Sequence, residues 1–285
     1  MFFQRKMNVI VWLTLLCFFG FALSGCGNEV IGDEDGDTAP GETELTGSIN
    51  VVGSTSVQPV SDLLAEAFMD NHLGTNINVQ GGGSTTGIKA ADNGAAEIGA
   101  SSRDLKEDEK HLQEYIIGQD GIALVVHPSR EVSDLSLEQI KDIYAGNITS
   151  WSEVGGSMEP ITVVTREEGS GTRGAFEDIV MGDEAISSGG IVQNSTGAVA
   201  STVAGDENAI GYISLASLDE KVKALQVEGV EATSQNIADG TYKVARPFIY
   251  VTKGEPSGLA EAFLDFVLGP SAQKVIEEAG LISVN

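Results

Sequence analysis

Beyond residue 47 the chain alternates between two hydrophobic periods. Residues 48–52 alternate apolar and polar positions and predict a strand. Val60, Leu63, Leu64, Ala67 and Phe68 then fall at helical spacing and predict one buried helical face. Ile77 and Val79 mark a short second strand, and residues 121–127 (GIALVVH) read as a buried one. Residues 137–144 predict a helix with Leu137, Ile140 and Tyr144 on one face. Two more strands, at 209–215 and 248–252, and a helix at 259–268 follow. Strands that alternate with helices predict an α/β chain with a mainly parallel sheet. Ligands of such sheets sit beyond the carboxyl ends of the strands.

The polar residues at those strand ends repeat one device. Gly53-Ser54-Thr55-Ser56 precedes Pro59, and Gln80-Gly81-Gly82-Gly83-Ser84-Thr85 precedes Ile88. Gly169-Ser170-Gly171-Thr172-Arg173-Gly174 follows an apolar run, and Gln193-Asn194-Ser195-Thr196-Gly197 is a weaker fourth case. Each places glycines and hydroxyls at an expected helix start, where free amides and the helix dipole favour an oxyanion. Taken singly, each is also an ordinary turn in which a hydroxyl caps the helix. Together they suggest turns that converge on one anion. The third is a formal match to the dinucleotide fingerprint, but that motif needs an acid at the end of a second strand. Here Asp183 and Glu184 precede any such strand. Residues 82–89 miss a P-loop, because Ile88 stands where lysine is required.

The amino terminus sets the compartment. Arg5 and Lys6, an apolar stretch over 7–23 and then Leu23-Ser24-Gly25-Cys26 predict an export signal over residues 1–25. Cys26 matches the lipidated first residue behind a bacterial lipobox; an uncleaved membrane anchor is the alternative. Cys17 and Cys26 are the only cysteines, so a disulfide framework and a cysteine metal site are excluded after cleavage. Residues 26–47 hold seven acids and neither Lys nor Arg, and predict a self-repelling linker. A formal net charge of -26 argues against nucleic acid as a partner, though not against a small buried anion. His72, His111 and His127 show no metal spacing, and no nucleophile stands beside a base. No enzyme activity, metal or cofactor is therefore expected.

Arg166 ends a strand four residues before Ser170, where a guanidinium can grip two oxygens of an anion or pair with Glu167 or Glu168. Ser101-Ser102-Arg103-Asp104 forms a second polar cluster at a strand end. These motifs, with Gly53 to Pro59, Gln80 to Ser84, Ile98 to Arg103, Arg166 to Thr172 and Ala209-Ile210-Gly211-Tyr212, occur in order. Together they resemble the phosphate-binding lipoproteins of bacterial ABC phosphate importers, over residues 47–285.

The resemblance implies a two-lobed periplasmic-binding-protein (Venus-flytrap) fold of mixed, mainly parallel sheets with two crossover hinge strands. Lobe I is expected over 48–125 and 246–285 and lobe II over 126–245, with crossovers near 125–127 and 242–247. It implies phosphate contacts from Thr55, Ser56 and Ser84 in one lobe and from Arg166, Ser170, Gly171 and Thr172 in the other. Ser54, Ser102, Arg103, Asp104 and Ser195 are further candidates. The family places an aromatic residue where Ser56 stands, and a proton-accepting aspartate where Ser102 stands. The acceptor here is left to Ser102, Asp104 or a backbone carbonyl. The implied protein is a monomeric, lipid-anchored receptor outside the cytoplasm that delivers inorganic phosphate to the membrane permease subunits of an importer. The alternatives are a receptor for sulfate or molybdate, or a secreted phosphatase or phosphotransferase.

Overall fold

A computed structural model describes residues 45–284. The expected export signal, Cys26 and nearly all of the acidic linker lie outside the described residues. The chain opens with β1 (Gly47–Gly53), α1 (Gln58–Asn71), β2 (Thr75–Gly81), α2 (Ser84–Asn93) and β3 (Ile98–Ser101). The long strand β4 (Gln113–Val126) then leads to β5 (Asp134–Leu135), α3 (Leu137–Ala145), β6 (Thr162–Arg166) and α4 (Gly171–Phe176). There follow β7 (Ile191–Gln193), α5 (Thr196–Gly205), β8 (Ala209–Ser214), β9 (Lys223–Ala224), β10 (Gln226–Val227) and α6 (Ser234–Ala238). The chain returns through β11 (Ala245–Thr252), α7 (Leu259–Leu268) and α8 (Pro270–Glu278).

One sheet runs β2-β1-β3-β11-β4-β8-β6-β7, with β9 beside β4. Its two wings are parallel: β2, β1 and β3 on one side, β8, β6 and β7 on the other. Between them β11 and β4 run antiparallel to each other and to their wing neighbours. Each parallel wing reaches its next strand through a helix, as parallel pairing requires. The carboxyl ends of β1, β3 and β6 carry the turns singled out in the sequence.

Apolar burial divides at these central strands. One core joins Val51, Leu64, Phe68, Ile98 and Ile117 to Phe248, Phe263 and Ile276. The other halves of the apolar surface, led by Ile122, Tyr144, Trp151, Phe176 and Tyr212, and by Val125, Val164 and Val199, pack around the second wing. Strand β4 changes partner between Gly121, opposite Ala245, and Ile122, opposite Ser214. The change of partner falls just ahead of residues 125–127, and residues 122–126 pair with β8. No turn marks it in the sequence because the strand runs through unbroken. Its local sign is Gly121, where a Cβ would sit 2.5 Å from Ile237 Cδ1.

Helix α1 also differs from its apolar pattern. Val60, Ser61, Leu64, Ala65 and Phe68 are buried, while Leu63 is 45% exposed. The buried face is turned toward Ser61 because the Tyr250 hydroxyl donates to Ser61 Oγ at 2.6 Å. A tyrosine buried in a core needs that partner.

Candidate functional site

Four of the glycine turns meet at the cleft between the wings. The caps differ by side. Helices α1 and α2 start without a side-chain cap, with Pro59 in the first turn of α1 and Gly83 at φ 85° before α2. On the other side Ser170 Oγ accepts from Arg173 N at the start of α4, and Ser195 Oγ accepts from Ala198 N at the start of α5. The ordinary capped turn is thus found only at the two helix starts of the second half. In the first half Ser54 Oγ instead accepts from Ser56 N at 3.2 Å, within the turn itself.

The remaining hydroxyls bond across the cleft. Ser56 Oγ lies 2.8 Å from Thr172 Oγ1 and 2.9 Å from Thr196 Oγ1. Thr55 Oγ1 accepts from Thr196 N at 3.2 Å. Thr85 N donates to Gly169 O at 3.1 Å. Gly171 presses on the first half so closely that a Cβ there would lie 2.1 Å from Ser84 Oγ and 2.7 Å from Ser102 Oγ. Beneath it Ser54 Oγ donates to Ser102 Oγ at 2.8 Å, and Ser102 N donates to Ser84 Oγ at 3.1 Å. Ser54, Ser56, Ser84, Ser102, Ser170 and Thr172 are all buried.

Arg166 stands in the middle, 1% exposed. Its Nε and Nη2 donate to the two carboxylate oxygens of Glu167, each at 3.0 Å. Nη2 also donates to Thr55 Oγ1 at 3.3 Å and Nη1 to Thr196 Oγ1 at 3.4 Å. Arg166 thus pairs with a neighbouring acid, as one of its two readings has it, and also faces hydroxyls of both halves. The backbone behind it is fixed by Tyr212, whose hydroxyl accepts from Arg166 N at 3.2 Å and lies 2.7 Å from Thr165 Oγ1. Burial pushes the Tyr212 phenol up to about 12, so it stays a neutral hydrogen-bonding group.

Three candidates do not join these hydroxyls. Arg103 is buried, but its Nη1 and Nη2 donate to Glu109 at 2.7 and 2.8 Å. Asp104 is exposed, and Lys106 rather than Asp104 stands at the start of the short 3-10 turn Glu107–Glu109. Arg103 and Leu105 on either side of Asp104 are buried, which leaves Asp104 as the side chain that faces out. Ser195 spends its hydroxyl as a cap, and the adjacent Thr196 enters the cluster in its place.

Thr196 had a local signal, since it shares the fourth turn with Ser195. Arg246 and Asp120 had none. They face each other across β11 and β4, both buried, with Arg246 Nη2 donating to Asp120 Oδ2 at 3.0 Å. Arg246 Nη1 donates to Ser102 O at 3.2 Å, and Asp120 Oδ1 accepts from Ala216 N at 3.4 Å. Burial pushes the Asp120 carboxyl up and the Arg246 guanidinium down, and each charge opposes the shift of the other. The histidines stay apart: His72 stacks on Phe68, His111 meets Asp92, and His127 meets Ser129. Among the described residues no group of acids and histidines is placed to hold a metal ion.

The cleft offers the buried guanidinium of Arg166, that of Arg246 behind Ser102, and a ring of hydroxyls and backbone amides. Charged and neutral donors of this kind are chemically suited to a small oxyanion. A family model described as the PBP superfamily domain matches residues 38–271. Phosphate-binding protein PstS of Bacillus subtilis (strain 168) is 35% identical to the chain, covering 98% of it and 95% of the relative. A solved structure from Clostridium perfringens, of a phosphate ABC transporter substrate-binding protein with bound phosphate, is 46% identical. It superposes with a TM-score of 0.81 over 84% of this chain and 100% of that one. An ABC-type phosphate transport receptor from Vibrio cholerae is 39% identical, with a TM-score of 0.70 over 82% of this chain and 99% of that one. On these matches, and on the two-winged fold that carries the cleft, the chain belongs to the PBP superfamily, in the group that holds these phosphate-binding proteins.

Proposed function

We propose that the protein is a receptor that binds one inorganic phosphate between its two halves and delivers it to the membrane permease subunits of an ABC importer. The observation that carries this reading is Arg166: a guanidinium 1% exposed that meets hydroxyls from both halves of the cleft. Thr55, Ser56, Ser84 and Ser102 hold the anion from the first half, and Arg166, Ser170, Gly171, Thr172 and Thr196 from the second. The names of the relatives, phosphate-binding protein and phosphate transport receptor, support phosphate as the ligand. Closing the halves around the anion removes water, which strengthens each hydrogen bond to it. Arg166 is held to Glu167 at the same time, so its charge reaches the anion partly balanced. The ligand is then gripped without being trapped.

The protein acts outside the cytoplasm, tethered by lipid on Cys26, with residues 27–47 as the spacer. Its amino-terminal pattern supports this placement. It works as a monomer, since both sides of the cleft come from one chain. It is a receptor and not an enzyme, in keeping with the relatives' names and with a cleft built of hydroxyls. Equilibrium dialysis with radiolabelled phosphate, run beside a hydrolysis assay on phosphate esters, tests the reading. Saturable phosphate binding without ester turnover is expected. Turnover, or no saturable binding, contradicts it.

A further inference from the structure

The carboxylates and carbonyls around the cleft each already accept at least one hydrogen bond from the protein. Both oxygens of Glu167 accept from Arg166. The two oxygens of Asp120 accept from Arg246 and from Ala216 N. Ser102 O accepts from Arg246, and Gly169 O from Thr85 N. Gly53 O accepts from Gly82 N at 2.7 Å and from Gly83 N at 2.9 Å. Asp104 and Glu168 are exposed. Among the described residues no carboxylate is hydrogen-bonded to the hydroxyls of Ser54, Thr55, Ser56, Ser84, Ser102, Thr172 or Thr196.

The charges also cancel in pairs. Arg166 is matched by Glu167 and Arg246 by Asp120. The hydroxyl at the deepest point has a defined direction. Ser56 N donates to Ser54 Oγ, and Ser54 Oγ donates to Ser102 Oγ. The proton of Ser102 must then point away from Ser54, toward Ser84 Oγ at 3.4 Å or toward an anion lodged against both serines. Ser102 thus has its proton free of Ser54 and available to an anion.

We propose that this cleft reads its anion with donors and amphoteric hydroxyls alone. It has no fixed negative acceptor for the anion's proton, so it selects the dianion and separates phosphate from sulfate only weakly. The inference rests on the phosphate-receptor reading and names the basis of that receptor's selectivity. A fixed carboxylate facing a fully ionised oxygen imposes repulsion, and a buried group left without its partner is costly. A hydroxyl imposes neither to the same degree, because it rotates from acceptor to donor. The remaining difference between phosphate dianion and sulfate is about one neutral hydrogen bond, worth about tenfold in affinity. Protonation to the monoanion removes one charge and one acceptor oxygen, and the cleft has no fixed acceptor to receive the added proton. The apparent phosphate affinity then follows the dianion fraction and falls about tenfold per pH unit below the second ionisation of phosphate.

The test is competition calorimetry on the full chain with sodium phosphate and sodium sulfate, at about pH 8 and about pH 6, converted to affinity ratios. Sulfate is expected to bind within about a hundredfold of phosphate at the higher pH. At the lower pH phosphate is expected to weaken while sulfate, which does not titrate there, holds. Ser102→Asp supplies a fixed acceptor. It is expected to weaken sulfate by more than about a hundredfold and to flatten the pH dependence of phosphate. Sulfate weaker than phosphate by more than about a hundredfold in the unaltered protein overturns this inference and leaves the receptor reading standing. A phosphate affinity that is flat with pH does the same. No phosphate binding at either pH overturns both. The wild-type arms decide the matter even where Ser102→Asp does not fold.

Discussion

Gly171→Ala separates binding from folding, and its effect can be worked from contacts. The new Cβ would lie 2.1 Å from Ser84 Oγ, 2.7 Å from Ser102 Oγ and 2.9 Å from Ser84 Cβ, where ordinary contact begins at 3.4 Å. Both serines are fully buried, so neither side chain has room to swing away. The two halves must therefore part by about 1 Å, since a close-packed interior transmits strain rather than absorbing it. At that separation the 2.8 Å bond from Ser56 to Thr172 and the 3.1 Å bond from Thr85 to Gly169 both exceed hydrogen-bonding distance. Two neutral bonds at about 0.5–1.5 kcal/mol each give about 1–3 kcal/mol, or roughly a five- to hundredfold loss of affinity. Strain on the anion's own contacts adds to this. Folding should move the other way. Gly171 has no left-handed φ and opens a helix, so alanine is compatible with the backbone and favours it by up to about 1 kcal/mol. Phosphate calorimetry and urea unfolding without phosphate read the two effects. Affinity within about threefold of wild type would refute the close approach of the halves as a condition of binding.

Further outcomes follow from the same contacts. Asp120→Asn leaves Arg246 buried beside a neutral amide and should lower unfolding free energy by about 3–5 kcal/mol in urea melts; a loss below about 1 kcal/mol would contradict the pairing. His111 bonds Asp92 at 3.0 Å. That bond raises the His111 pKa above 6.5 and lowers the Asp92 pKa below 3.8. The stability from His111 is present below 6.5 and lost as pH rises through its raised value. That from Asp92 is present above 3.8 and lost as pH falls through its lowered value. His111→Ala should therefore cost most between those pH values and little in alkali, as thermal melts across pH would register; an equal cost in alkali would contradict the ion pair. Cys26→Ser should abolish labelling of cells' protein by radioactive fatty acid, and label that persists would remove Cys26 as the anchor.

Much of the site was legible because its parts are local. Glycine and hydroxyls at strand ends are readable as turns, and Thr55, Ser56, Ser84, Arg166 and Thr172 do meet at one cleft. The order of strands and helices was legible for the same reason, with α7 at Leu259–Leu268 as the period gives it. What the sequence hid is non-local. The Arg246–Asp120 pair joins residues 126 apart, and only the register of β11 on β4 brings them together. An extended chain would point residues 102 and 104 the same way. In the structure Arg103 is buried and grips Glu109, Leu105 is buried as well, and Asp104 between them is exposed. Burial of Ser61 in place of Leu63 likewise depends on a tyrosine hydroxyl from a distant strand. Periodicity sees a hydroxyl as polar and has no means to see its partner.

The central claim is that one phosphate is held between the two halves with Arg166 as its charged anchor. Calorimetric titration of phosphate into the full-length protein and into Arg166→Ala tests it most directly. Removal of the guanidinium from a buried, hydrogen-bonded setting should cost about 2–5 kcal/mol, or roughly two to three decades in affinity. One phosphate per chain is expected for the unaltered protein, and that loss in the variant. Near-equal affinity in the two proteins would contradict it, and would leave Arg166 as no more than the partner of Glu167.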